Sequence, residues 1–148
     1  NGALTLGTMD GANVEIAELA GAKNIYTFGK DSESIIKLYE TAGYVSKDYY
    51  KKDKHIKRAV DFILDSTLVK LGNEERLKRL HDELLNKDWF MTLIDFDAYV
   101  TAKEQILADY EDQDSWNKKV IHNIAKAGFF SSDRTIAQYN TDIWHCED

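Results

Sequence analysis

The chain has 148 residues, 43% of them apolar and 30% charged, and carries a net charge of −7. This length suits about one domain, able to bury ~70% of its unfolded surface. The acidic balance argues against binding to nucleic acid or an anionic membrane, which needs clustered Lys and Arg, and no apolar run approaches the ~20 residues of a membrane span.

The first sixteen residues (NGALTLGTMDGANVEI) read as strand, tight turn and helix start. Ala3 to Leu6 is the first predicted strand. Gly7 and the Asp10-Gly11 pair follow; Asp-Gly marks a turn, because Gly tolerates positive φ and Asp bonds nearby amides. Val14, Ile16, Ala17 and Ala20 predict a short helix ending near Gly21. Asn24 to Phe28 is the second strand, closed by Gly29. Asp31 or Ser32 caps the next helix, with Ile35, Ile36, Leu38 and Tyr39 on its apolar side. Strand, helix, strand, helix is the pattern of a parallel α/β sheet.

Past Gly43 the pattern turns helical. Ser46 to Lys54 is polar and aromatic, without a clear period. Helical spacing then recurs at Ile56, Val60, Ile63 and Leu64, and at Leu77, Leu80, Leu84 and Leu85 after Gly72-Asn73. Phe96, Val100 and Leu107 line a long helix, with Tyr99, Ile106 and Tyr110 beside them. Trp116, Val120, Ile121 and Ile124 line another, ending before Gly128, and Ile136, Tyr139, Ile143 and Trp144 a last one. The absence of proline fits helices joined by short Gly- or Asn-marked connections. The expected fold is α/β and mostly helical: a strand–helix edge over residues 1–43 and a helical tail over 44–148, in one compact unit.

Two strands do not make a stable sheet alone. The chain opens without Met or a polar leader, and an apolar strand pattern already runs at Ala3. The expectation is a piece of a longer enzyme, with further strands ahead of Asn1. Alone, Ala3–Leu6 would be an unpaired edge that invites a second copy.

Chemistry is sparse. The Gly7–Gly11 loop before a helix suits a phosphate on free amides, but it lacks both the Lys-Ser/Thr of a P-loop and the G-x-G-x-x-G spacing, so a plain turn is favoured. Asp10 and Glu15 are better explained by the turn and the first helical turn than as an acid/base pair. Asn13 suits a ligand contact or a helix cap, with the cap as the default. His55, His81, His122 and His145 are scattered over separate helices without metal-ligand spacing. Cys146 is the sole cysteine, which excludes an intramolecular disulfide and favours a reducing cytosolic setting. Near the chain end, Ser131 or Ser132 suits an N-cap and Asp133 the first turn, while Phe129 or Phe130 can staple that turn. Arg134 is expected to pack and form a salt bridge, with phosphate pairing as the alternative. The tail aromatics, Trp89 and Phe90 among them, are core or interdomain contacts before they are a sugar-stacking platform.

NGALTLGTMDGANVEIAE closely resembles the segment of glycogen (α-glucan) phosphorylases just after their pyridoxal-phosphate lysine. NIYTFG resembles the following strand, and WFMTLIDFDAYVTAKEQ and IAKAGFFSSDRTIAQYNTDIWH resemble the family's C-terminal helices. The resemblance runs in order over nearly the whole chain and is weakest from Tyr44 to Asp88. It implies a partial Rossmann-like C-terminal domain of a GT-B enzyme, cytoplasmic, that transfers a terminal glucosyl unit of an α-1,4-glucan to phosphate to give glucose 1-phosphate. The family's cofactor lysine sits in a Glu-Ala-Ser-Gly-Thr-Gly-Asn-Met-Lys motif that would lie upstream of Asn1, and its phosphate-site and catalytic residues lie further upstream still. Lys23 is the first lysine here and falls in a later turn. No catalytic, cofactor or metal residue is therefore assigned within the chain. The expected partners are the N-terminal remainder of the enzyme and, for that parent, glucan and phosphate, with a homo-oligomer open. The competing expectation is a non-catalytic helical interaction module.

Overall fold

The computed structural model describes residues 2–146. Asn1, at the head of the first motif, lies outside them. Two short strands, β1 (Leu6–Thr8) and β2 (Tyr26–Phe28), run parallel, with Leu6 opposite Tyr26, Gly7 opposite Thr27 and Thr8 opposite Phe28. Helix α1 (Ala12–Ala20) connects them. Then follow α2 (Ser32–Glu40), α3 (Ser46–Lys52), α4 (Lys54–Phe62), α5 (Ser66–Leu71), α6 (Glu74–Asn86), α7 (Phe96–Glu111), α8 (Gln113–Lys126) and α9 (Ser132–Tyr139). The architecture is mostly helical with a two-stranded parallel sheet.

The first strand differs from its predicted span. It starts at Leu6 rather than ending there, because its position is set by reach to β2: the Tyr26 amide bonds the Thr5 carbonyl at 2.9 Å, and the ladder extends onward to Thr8. A local alternation of side chains cannot fix that register.

Caps explain most helix starts. Asp31, not Ser32, caps α2 by accepting from the Ser34 amide at 2.7 Å. Asn73 caps α6 and Ser131 caps α9 in the same way. Asn13 does not cap α1: Gly11 holds that position at φ 48° with no side-chain bond. Two helices lie where no period was visible. Helix α3 is held by the buried Ser46, whose hydroxyl donates to the Leu85 carbonyl at 2.8 Å. Helix α5 is capped by Asp65 through the Thr67 amide. The last predicted helix breaks at Tyr139 into one wider turn, Asn140–Trp144. There the Asn140 side chain clasps both the amide and the carbonyl of Cys146.

Burial is divided between two places. Ile56, Val60 and Leu93 form one cluster, with Tyr49, Tyr50, Leu85 and Phe96 packed around it. Ala20, Ile25 and Tyr26 are buried beside the sheet. Ile121, Ile124, Ile136 and Ile143 on α8, α9 and the final turn are all more than half exposed.

Candidate functional site

In parallel α/β sheets ligands sit at the carboxyl ends of the strands, which here are the exits of β1 and β2. At the β1 exit the amides of Asn13 and Val14 bond the carbonyls of Asp10 and Gly11 at 3.1 and 3.2 Å. They are spent inside the turn rather than aimed at an anion. The Asn13 side chain folds back and donates to the Thr8 carbonyl at 2.8 Å. It lies against Gly7, where an added Cβ would stand 2.4 Å from its Nδ2. Asp10 and Glu15 are both exposed, and no hydrogen bond joins them. This exit is a turn closed by its own side chain.

The β2 exit is closed from the helical tail. Gly29 turns at φ +84°, and the Asp95 carboxylate fills the space beside it, 2.5 Å from where a Cβ would be. The Lys30 amide donates to that carboxylate at 3.1 Å. Asp31 beyond it is held below the usual carboxylate range, first by the backbone amide of Ser34 and then by its hydroxyl.

The most perturbed carboxylate lies elsewhere. Asp109 on α7 accepts from the Tyr26 hydroxyl at 2.7 Å, from Lys119 Nζ at 2.7 Å and from Gln105 Nε2 at 2.6 Å. Lys119 also donates to the Tyr26 oxygen at 2.9 Å. These bonds, Lys119 first, lower the Asp109 carboxyl to about 2. Burial, partly offset by Lys119, raises the Tyr26 phenol. Such a shift can mark catalysis. Here every group is satisfied within the set, which ties β2 to α7 and α8, and Trp116 stacks on Tyr26 with centroids 6.3 Å apart. The cluster is a structural pin. Its members stand 83 and 93 residues from Tyr26, so no sequence spacing announces it.

A second polar center sits at Asp88, which is 5% exposed. Its carboxylate accepts from the Thr92 and Leu93 amides at 3.0 and 3.1 Å and from the Tyr44 hydroxyl. Burial first, then Asp88, pushes the Tyr44 phenol well above its ordinary value.

The remaining candidates stay apart. His55, His122 and His145 are exposed, and His81 contacts Asp82 at 3.3 Å. Among the described residues no group of three or more His, Cys, Asp or Glu side chains is placed to hold a metal. Cys146 is free and exposed. Arg134 forms none of the described ion pairs, contrary to expectation; its guanidinium lies over the Phe129 ring at 3.9 Å and bonds the Phe129 carbonyl and Gln138. Phe129 thus staples the first turn of α9 through a cation–π contact.

The model of the family described as carbohydrate phosphorylases matches residues 1–146. The chain belongs to that family. It is 65% identical over 145 residues to the maltodextrin phosphorylase of Streptococcus pneumoniae, covering 98% of this chain and 19% of that protein. It is 42% identical to the glycogen phosphorylase of Bacillus subtilis, covering 97% of this chain and 18% of that protein. It is 45% identical to the brain-form glycogen phosphorylase of Ovis aries, covering 99% and 17%. The chain thus spans less than a fifth of these carbohydrate phosphorylases. Among the described residues no helix is long and apolar enough to cross a membrane.

Proposed function

We propose that this chain is scaffold from the C-terminal domain of a cytoplasmic α-1,4-glucan phosphorylase, and that it is inactive alone. Residues 1–43 are the edge of a Rossmann-like sheet in a GT-B architecture, and 44–148 are the helical tail. The parent enzyme transfers a terminal glucosyl unit to inorganic phosphate, releasing glucose 1-phosphate. The observation that carries this reading is the family match from end to end at under a fifth of the relatives' length. The strand exits support it, since both are closed by side chains of the chain itself.

The parent would use pyridoxal phosphate bound to a lysine. The residues present do not fit that group. A Schiff-base lysine is activated by desolvation, yet none of the described lysines is buried. Lys119, half-buried, has its ammonium committed to Asp109 and Tyr26.

The test is phosphorolysis. The purified chain, given maltodextrin and phosphate, should release no glucose 1-phosphate, and borohydride reduction with pyridoxal phosphate should label no single lysine stoichiometrically. Co-expression with the upstream part of the enzyme should restore turnover. Turnover by the chain alone would overturn the reading. A chain that never restores activity to its upstream part would favour the helical interaction module instead.

A further inference from the structure

Trp89 and Phe90 sit between two residues in left-handed backbone conformations. Asp88 stands at φ 37° and Met91 at φ 51°, where a β-carbon is disfavoured. Both of these flanking residues are buried, while Trp89 is 66% and Phe90 92% exposed. The turn is locked from several sides. The Met91 amide closes it on the Asp88 carbonyl at 2.8 Å, three donors hold the Asp88 carboxylate, and Tyr39 on α2 donates its hydroxyl to the Trp89 carbonyl. None of the described ring pairs includes Trp89 or Phe90. The Trp89 indole N–H makes none of the described hydrogen bonds, which use only that residue's carbonyl. Strain, a buried carboxylate and a bond from α2 thus serve to hold two rings outward with nothing against them.

We propose that Trp89 and Phe90 are a surface platform that holds a stretch of α-1,4-glucan by stacking. A pyranose has apolar C–H faces and a belt of hydroxyls. The two rings cover such faces, and the free indole N–H supplies a donor to a hydroxyl. Charge agrees with a neutral ligand. The ion pair beside the turn, Lys87 with Glu83 at 3.2 Å, is closed on itself, and the Asp88 charge is sealed beneath. The chain's net charge of −7 disfavours a nucleic acid or an anionic membrane as the occupant. Rigidity agrees too. Sugar stacking is weak, and ordering a mobile loop would cancel it, so the loop must be fixed before the ligand arrives. A large protein interface can order the segment it covers and has no such need. The inference rests on the glucan reading above.

Two rings give a weak site, with a Kd on the order of 1 mM. Its use lies in the length of the ligand. A long glucan held here keeps its ends at a raised local concentration, whereas a short oligosaccharide gains nothing from a second point of attachment. In the assembled parent enzyme the platform should therefore lower KM for long chains and leave kcat alone.

Nitrogen–proton NMR of the 148-residue chain, titrated with maltoheptaose and no phosphate, tests it. The Trp89 indole resonance, assigned by its loss in Trp89→Ala, should shift with a Kd of about 1 mM. Phe90→Ala should weaken that binding by ~twofold to tenfold. Both side chains are exposed, and circular dichroism of each variant checks the fold. An indole resonance that stays in place to about 10 mM maltoheptaose overturns the proposal, as does a Phe90→Ala chain that binds equally well. In enzyme assembled by co-expression with the upstream part, Trp89→Ala should raise KM for a long maltodextrin by ~twofold or more and leave kcat on maltotetraose unchanged. If the upstream part covers the pair instead, the variant will impair assembly or slow both substrates alike, and the proposal falls. Failure of the underlying glucan reading shows separately, as an assembled enzyme that releases no glucose 1-phosphate from any maltodextrin.

Discussion

Replacing Asp88 by alanine removes the acceptor for three donors at once. The Leu93 amide is buried and has no water to turn to; the Thr92 amide and the half-buried Tyr44 hydroxyl are partly reachable. A buried orphan donor costs ~1–3 kcal/mol and a lost ordinary bond ~1 kcal/mol, so Asp88→Ala should destabilise by ~3–5 kcal/mol. That is a large share of the ~5–15 kcal/mol that holds a domain together. The backbone offers an internal control. Asp88 sits at φ 37°, where side chains are strained. Asp88→Gly loses the same acceptors but relieves ~1 kcal/mol of that strain, so it should be the milder variant. Asp88→Asn keeps one oxygen and should cost ~1–2 kcal/mol. Urea unfolding followed by tryptophan fluorescence reads all three. At a slope of about 2 kcal/mol/M, a loss of ~4 kcal/mol lowers the midpoint by ~2 M. An alanine variant within ~0.5 kcal/mol of the parent chain, or a glycine variant worse than alanine, would refute the reasoning.

Other consequences follow from the same contacts. Asp109 has a folded-state value of about 2 against about 3.9 unfolded, so its contribution is complete above pH ~4 and fades as pH falls toward 2. Carbon-detected NMR titration should place its midpoint near that value, and Lys119→Met should raise it; an unmoved midpoint would contradict the assigned cause. Gly7→Ala should expel Asn13 from the Thr8 carbonyl, since the new Cβ falls 2.4 Å from Nδ2. In an Asn13→Ala background the same change should cost at least ~1 kcal/mol less, and a strictly additive double-mutant cycle would show that the two do not press on each other. Gly29→Ala meets both a positive φ and the Asp95 carboxylate, so it should cost ~2 kcal/mol or more. It should also speed hydrogen exchange at the Lys30 amide, and unchanged exchange there would count against the contact.

What could be read from sequence was what local chemistry decides. Asp31 and Ser131 cap the helices their positions suggested, because a cap and its amide are only three residues apart. The strand–helix–strand opening was legible for the same reason. What escaped was set by distance. The extent of β1 depends on β2, twenty residues on. Helix α3 carries no aliphatic period, since it is held by a serine hydroxyl on a carbonyl 39 residues away and by Tyr49 and Tyr50 against the Ile56 cluster. Asn13 looked like a cap but lies one residue inside α1, past the position where a side chain can reach the end amides, so it bonds the strand behind it instead. Arg134 invited a carboxylate partner, and the aromatic face of Phe129 took its place.

The two regions of burial explain why polar contacts matter so much here. No large side chain among the described residues is wholly enclosed, and the aliphatic cluster around Ile56 and Val60 does not include the residues buried beside the sheet. A two-stranded parallel sheet has little stability of its own. Here it is held to the helices by Tyr26 on Asp109 and Lys119, by Lys30 on Asp95, and by Asn123, whose amide reaches the Asn24 carbonyl at 2.8 Å. Each is a directional bond between segments far apart in sequence. Hydrogen bonds carry strict distance and angle requirements, so they fix the relative placement of the segments they join. The strand exits are thus fixed in place by directional bonds between distant segments, which suits a segment proposed to serve as scaffold.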